Sequence, residues 1–171
     1  RAMIRSWSFQ PSPLGQKISY INRLLCIDTN DSGNFMTLFI AELNSQKGQL
    51  RWVRAGHDPA LVYNPSRDIF EELKGSGVAL GIDAAWSYQQ YEYDKWQDGM
   101  HILIGTDGIW ETENEMGERF GKQRLQNIIR RHRQFSAAQM VEALSSELIT
   151  FRGKEPQKDD ITLVMIKIDQ G

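Results

Sequence analysis

Between residues 35 and 104 the chain presents six short strand-like runs: Phe35–Leu43, Gln49–Ala55, Ala60–Tyr63, Ile69–Leu73, Ser87–Tyr93 and Met100–Ile104. Most of the gaps between them are too short for a crossover helix, so neighbouring strands must return on themselves. The gap composition agrees. Asn44-Ser45-Gln46-Lys47-Gly48 suits a hairpin, and Asn64-Pro65-Ser66-Arg67-Asp68 and Lys95-Trp96-Gln97-Asp98-Gly99 are built from turn residues.

Helical spacing of apolar residues appears on either side of this block. Leu14, Ile18, Ile21, Leu24 and Leu25 predict a helix over Pro13–Asp28, begun by Ser12 or Pro13 and ended by the loop Asn30–Asn34. Leu125, Ile128 and Ile129 mark a helix over Gly121–His132. Met140, Leu144, Leu148 and Phe151 mark another over Ser136–Phe151, with Ser136 as its N-cap. The chain closes on a strand, Ile161–Ile168, and opens on Arg1–Trp7, which reads as the last turns of a helix. Strands followed by helices on a mainly antiparallel sheet define an α+β layered fold.

The 171 residues are expected to form a single domain, 1–171. Twenty basic and twenty-two acidic side chains leave a formal charge of −2, which excludes a strong field for nucleic acid or an anionic membrane. Arg130-Arg131-His132-Arg133 is read as a surface cluster complementing a helix end. One cysteine, Cys26, excludes an internal disulfide and is expected to be a buried inert thiol. No apolar stretch approaches the roughly 20 residues of a membrane span, and a cytoplasmic location is the default expectation.

Chemistry concentrates in two acidic runs, Thr106-Asp107-Gly108 and Asp159-Asp160-Ile161-Thr162, each beside a predicted strand. Carboxylates at strand ends can meet at one sheet edge, and hard divalent cations such as Mg²⁺ and Mn²⁺ take oxygen ligands. The same residues also read as a turn and a solvated strand start.

Phe35–Phe39, Arg54–Ala60 (with Gly56-His57-Asp58-Pro59), Gly77–Gly81, Thr106–Glu111, Asn114–Phe120 with Gly121, and Asp159–Thr162 form an ordered motif series. In that order they resemble the bacterial metal-dependent serine/threonine phosphatases of the stage-II-sporulation-E type, within the PPM (protein phosphatase 2C-like) superfamily, over nearly the whole chain. The resemblance implies a β-sandwich of mainly antiparallel strands flanked by helices, with two Mn²⁺ or Mg²⁺ ions at one end. It implies Asp107 and Asp159 as metal ligands, Asp160 behind them, and attack of a metal-activated water on a phosphoserine or phosphothreonine. Gly108 either admits a close backbone approach or makes a tight turn. His57 either donates to phosphate or holds its loop, while His101 and His132 are expected to take no part. Thr37 is read as a mid-strand structural residue. Glu111 and Glu113 are expected to cap or begin a helix, Gly77 and Gly81 to bracket a loop near the site, and the five tryptophans to serve packing.

The family also carries upstream Gly-Asp-x-x-Asp and Gly-Asp-x-x-Gly-His-Gly motifs, and neither occurs here. The expectation is therefore the C-terminal major part of such a domain, N-terminally truncated and weak as an enzyme alone. The expected partners are a phosphorylated regulator such as an anti-sigma-factor antagonist, an upstream sensor or receiver domain, and a second copy of the chain. A catalytically silent docking or dimerisation module is the other reading of the same residues.

Overall fold

The computed structural model describes residues 4, 12–29 and 32–169. The helical run expected over Arg1–Trp7 lies outside the described residues except for Ile4. In chain order the elements are α1 (Leu14–Thr29), β1 (Leu38–Asn44), β2 (Gln49–Ala55), β3 (Ala60–Asn64), β4 (Ile69–Leu73), β5 (Tyr91–Tyr93), β6 (His101–Gly105), α2 (Gly108–Glu111), α3 (Gly121–Arg131), α4 (Ala137–Arg152) and β7 (Leu163–Lys167). Among the described residues the pairings between these strands are antiparallel, and helices pack on the sheets, which is the α+β class predicted by the strand spacing. Among the described residues no helix is long and apolar enough to cross a membrane.

Two compact units divide the chain, Arg1–Pro59 with Lys74–Trp96 and Ala60–Leu73 with Gln97–Gly171. The first holds α1 and a sheet of order β1-β2-β5. Leu14, Ile18 and Ile21 recur on one stripe of α1 and bury against Val53 and Ala55 of β2 and against Leu80 and Tyr88. Each large aliphatic side chain buried in this way is worth about 1.5–3 kcal/mol.

Backbone commitments made elsewhere shorten two of the predicted strands. Phe35–Thr37 falls outside β1 because Met36 spends both backbone groups on Leu80, donating at 2.9 Å and accepting at 2.8 Å. Ser87–Gln90 is likewise no strand. The Tyr88 N–H donates to Ser19 Oγ (2.9 Å), and Gln90 Oε1 accepts from the Leu14 N–H (2.8 Å), so this segment is fastened to α1. Gln90 thus serves the start of α1, where the local sequence offers only Ser12 and Pro13. Cys26 is half-buried, with Sγ 3.8 Å from Asn22 Oδ1, and not a core thiol as expected.

In the second unit the sheet order is β4-β3-β6-β7. Register aligns Leu61 with Leu103 and Leu103 with Met165, one row on one face. Onto that face pack Leu125, Ile128 and Ile129 of α3 and Met140, Leu144 and Leu148 of α4, the residues whose spacing predicted the helices. Ser136 caps α4 through a reciprocal box. Its Oγ accepts from the Gln139 N–H (3.2 Å), while Gln139 Oε1 accepts from the Ser136 N–H (2.9 Å). Arg130 and Arg131 lie in the last turn of α3, where the dipole favours cations, and pair with Asp68 and Glu147. The four-residue helix α2 was not foreseen, and it corrects the expectation for Glu111, which ends α2 and pairs with Arg119 at 2.8 Å. Glu113 follows that helix and neither caps nor begins one.

Candidate metal centre

β6 and β7 run antiparallel until Gly105 lies opposite Leu163, and Thr106 then extends the contact past the ladder. Its backbone N–H donates to the Thr162 carbonyl (3.1 Å). Its hydroxyl accepts from the Thr162 N–H (3.0 Å) and donates to the Asp160 carbonyl (3.0 Å). One side chain thereby uses both donor and acceptor capacity to clasp the strand ends that carry Asp107 and Asp159.

Gly108 completes the clasp. A Cβ at this position would stand 2.6 Å from the Asp160 carbonyl oxygen, so only glycine lets the start of α2 lie against the β7 approach. Asp107 occupies the N-cap position of α2, yet its side chain makes no capping hydrogen bond. Asp159 Oδ1 accepts from the Asp160 N–H at 2.7 Å. Asp107, Asp159 and Asp160 are all exposed.

Beside this edge lies a cleft of about 210 Å³ lined by Gly108, Glu113, Arg119, Arg152, Lys158 and Asp159 among others. Lys158 and Glu113 form an ion pair across it. The hydrogen bond and charge of Lys158 hold the Glu113 carboxyl below its usual range, and Glu113 in turn raises Lys158. Glu115 accepts from the Lys154 N–H at 3.0 Å, a second tie between residues 113–115 and the 153–160 segment. Arg152 donates from Nη1 to Gln157 (3.0 Å), while its Nε is buried with no hydrogen-bond partner among the described residues.

The donor chemistry of Asp107 and Asp159 fits Mg²⁺ or Mn²⁺, which bind hard carboxylate oxygens and keep several waters when only one or two carboxylates are supplied. Among the described residues no group of three or more His, Cys, Asp or Glu side chains is arranged to hold a metal. The pair therefore suits part of a metal centre.

His57 belongs to the first unit, Asp107 and Asp159 to the second. Its Nδ1 lies 3.1 Å from Thr37 Oγ1, and its carbonyl accepts from the Arg54 guanidinium, which also donates to the Gly75 carbonyl at 2.9 Å. Thr37 therefore precedes β1 and meets His57, a correction to the mid-strand role expected of it. Gly56 is held at φ 69°, and a Cβ there would stand 2.9 Å from the Ala79 nitrogen. His101 is 1% exposed within the second unit, and His132 stacks on Phe135 at 4.5 Å.

Thr106 and Gly108 were legible as part of a motif, though the hydroxyl clasp was not. Lys158 and Glu113 were separated by 44 residues of sequence with no periodicity to link them. Arg152 gave no signal beyond a cation at a helix end.

Solved structures place this architecture among PP2C-type phosphatase domains. The SiaA-PP2C domain of Pseudomonas aeruginosa superposes with a TM-score of 0.82, covering 98% of this chain and 66% of that chain at 20% identity. The phosphatase domain of SpoIIE from Bacillus subtilis (Mn presoaked) gives 0.65, covering 99% and 73% at 17% identity. The chain belongs to the Stage II sporulation protein E (SpoIIE) family, whose model matches residues 1–169. Phosphoserine phosphatase RsbU of Bacillus subtilis (strain 168) is 31% identical over 153 residues, covering 89% of this chain and 44% of RsbU. The chain thus spans less than half the length of that relative.

Proposed function

We propose that these residues form the larger, C-terminal part of a single metal-dependent protein serine/threonine phosphatase domain. It acts in bacterial signalling on a phosphoserine or phosphothreonine regulator such as an anti-sigma-factor antagonist. The observation that carries this reading is the Thr106 clasp, which brings the Asp107 and Asp159 strand ends to one sheet edge in a chain of the SpoIIE family. The similarity to phosphoserine phosphatase RsbU and to a manganese-soaked phosphatase domain supports the substrate class and the cofactor.

In this reading Asp107 and Asp159 hold Mn²⁺ or Mg²⁺, Asp160 steadies the strand end through its clasped carbonyl, and Gly108 keeps α2 close. A bound divalent ion supplies a lowered pKa for its water and neutralises charge on phosphoryl oxygens. His57, oriented through Nδ1 by Thr37, can present Nε2 as a donor to phosphate in the complete domain. An upstream sensor or receiver domain and a second copy of the chain are the further partners in this reading.

The test is Mn²⁺ titration by calorimetry on this chain and on a longer natural chain that includes the residues preceding it. Tight binding by the longer chain, lost in Asp107→Asn and Asp159→Asn, is the expected result. Metal-dependent release of phosphate should be lost with it. His57→Ala should lower turnover less than either aspartate change. Absence of binding by both chains would favour a catalytically silent docking or dimerisation module.

A further inference from the structure

Asp159 lies near the end of residues 153–160, the irregular segment that joins α4 to β7. The far end of that segment is fixed by the Thr106 clasp on the Asp160 carbonyl. The near end meets a neighbouring hairpin, residues 113–119 of the same unit.

This hairpin is firmly built. Glu113 and Arg119 form an antiparallel bridge at its base. The Asn114 N–H donates to the Glu118 carbonyl (3.0 Å), and Asn114 Oδ1 accepts from the N–H groups of Met116 (3.0 Å) and Glu118 (2.9 Å). Phe120, at its foot, is buried in the core and meets Phe151 of α4 edge-on at 5.3 Å. From this base two carboxylates reach the segment. Glu115 Oε1 accepts from the Lys154 N–H at 3.0 Å, and Glu113 pairs with Lys158, the residue before Asp159.

The Glu115 contact is matched by the backbone it holds. Gly153 ends α4 at φ 62° and ψ −125°, a conformation that favours glycine, and a Cβ there would stand 3.0 Å from the same Glu115 Oε1. Carboxylate and turn thus fit each other where the segment leaves the helix. The Asp159 carboxylate accepts from the adjacent Asp160 N–H (2.7 Å), a local bond that does not tie it to the rest of the unit. Its direction therefore follows the path of the segment. A ligand side chain already held near its binding direction loses less freedom when an ion binds.

We propose that Glu115 is a positioning residue for the metal centre. By holding the Lys154 N–H against the 113–119 hairpin it sets the path of residues 153–160 and so the placement of Asp159. The proposal rests on the metal-dependent phosphatase reading and adds to it a residue that acts on the ion through Asp159. Glu113 ties the same segment, but its partner Lys158 sets a charge beside the ligand, so Glu115 is the cleaner test.

The test measures Mn²⁺ affinity by calorimetry and the urea unfolding midpoint, on the longer natural chain that includes the residues preceding this one. Glu115→Ala should weaken Mn²⁺ binding about fivefold, the scale of one hydrogen bond, and leave the midpoint in place. Glu115→Gln keeps an accepting oxygen and should restore most of the affinity. Gly153→Ala, which meets both the turn and Glu115, should weaken binding in the same direction. In the metal-free chain, exchange of the Asp160 amide, whose acceptor is the Asp159 carboxylate, should quicken in Glu115→Ala and stay unchanged at Leu103 in β6.

Unchanged affinity in Glu115→Ala overturns the proposal. Equal losses in Glu115→Ala and Glu115→Gln also overturn it, because they would assign the effect to charge and not to the held backbone. A midpoint that falls in step with the affinity makes Glu115 a structural residue and overturns it as well. The phosphatase reading fails separately, through a longer wild-type chain that binds no Mn²⁺. Faster Asp160 exchange in metal-free Glu115→Ala would then still show that Glu115 places the segment.

Discussion

The 77–83 segment of the first unit and the 153–160 segment of the second are both loops without regular structure, but they are anchored by opposite means. Residues 77–83 are held from below by a buried side chain. Asn22, fully buried, donates from Nδ2 to the Asp83 carbonyl (2.7 Å) and accepts at Oδ1 from the Gly81 N–H (2.9 Å). Tyr88 adds a bond from its hydroxyl to the Val78 carbonyl (2.9 Å), and burial pushes its pKa up to about 12, which keeps it a donor. Residues 153–160 are tied at the surface by the exposed Glu113–Lys158 pair and by Glu115. Hydrogen bonds away from water keep their strength, whereas exposed ion pairs are weak and screened by salt. The first loop should therefore open less readily than the second, which borders the cleft.

The contrast can be broken first at the core beneath the second loop. Leu144→Ala, fully buried in α4, should cost about 2–5 kcal/mol by urea unfolding. A smaller cost would mean that α4 repacks freely and gives residues 153–160 no firm origin. Next, Asn22→Ala removes both anchoring bonds of the first loop and should cost about 1–3 kcal/mol, with faster amide exchange at Gly81. Exchange unchanged at that amide would show the loop held by its other contacts.

Ser136→Ala, which opens the capping box of α4, should cost about 1 kcal/mol in the same unfolding measurement. The pH dependence sharpens the comparison further. Burial holds the His101 imidazole below its ordinary value of 6.5, and Lys167 pushes it lower, while Asp169 and the backbone of Phe135 and Gly99 oppose them. The unfolded chain therefore binds the proton more readily. Stability present above about pH 6.5 should be lost as the pH falls through the lowered value, and His101→Leu should flatten that slope. The smallest effect is expected from Glu113→Gln. The unfolding midpoint should barely move, while amide exchange in residues 154–160 rises at low salt and converges with the wild type at high salt. A large shift in the midpoint would make the surface tie a structural one.

Strand spacing and turn composition alone determined the antiparallel sheets, and the apolar stripes of α1, α3 and α4 were legible because a 3.6-residue period must turn one face to a core. Strand-end carboxylates and the ordered motifs were visible too, since a motif is a local pattern. Tertiary structure decided what local patterns do not encode. Ser87–Gln90 has the composition of a strand, yet Ser19 and Leu14 claim its hydrogen bonds from another element. Thr37 has the look of a strand residue until its hydroxyl meets His57, twenty positions away. Glu113 and Lys158 are unrelated charges in the sequence until the fold pairs them, forty-five positions apart. The physical reason is common to all three. Periodicity reports which face of an element is buried, whereas a hydrogen bond between distant segments depends on where the whole chain places both partners.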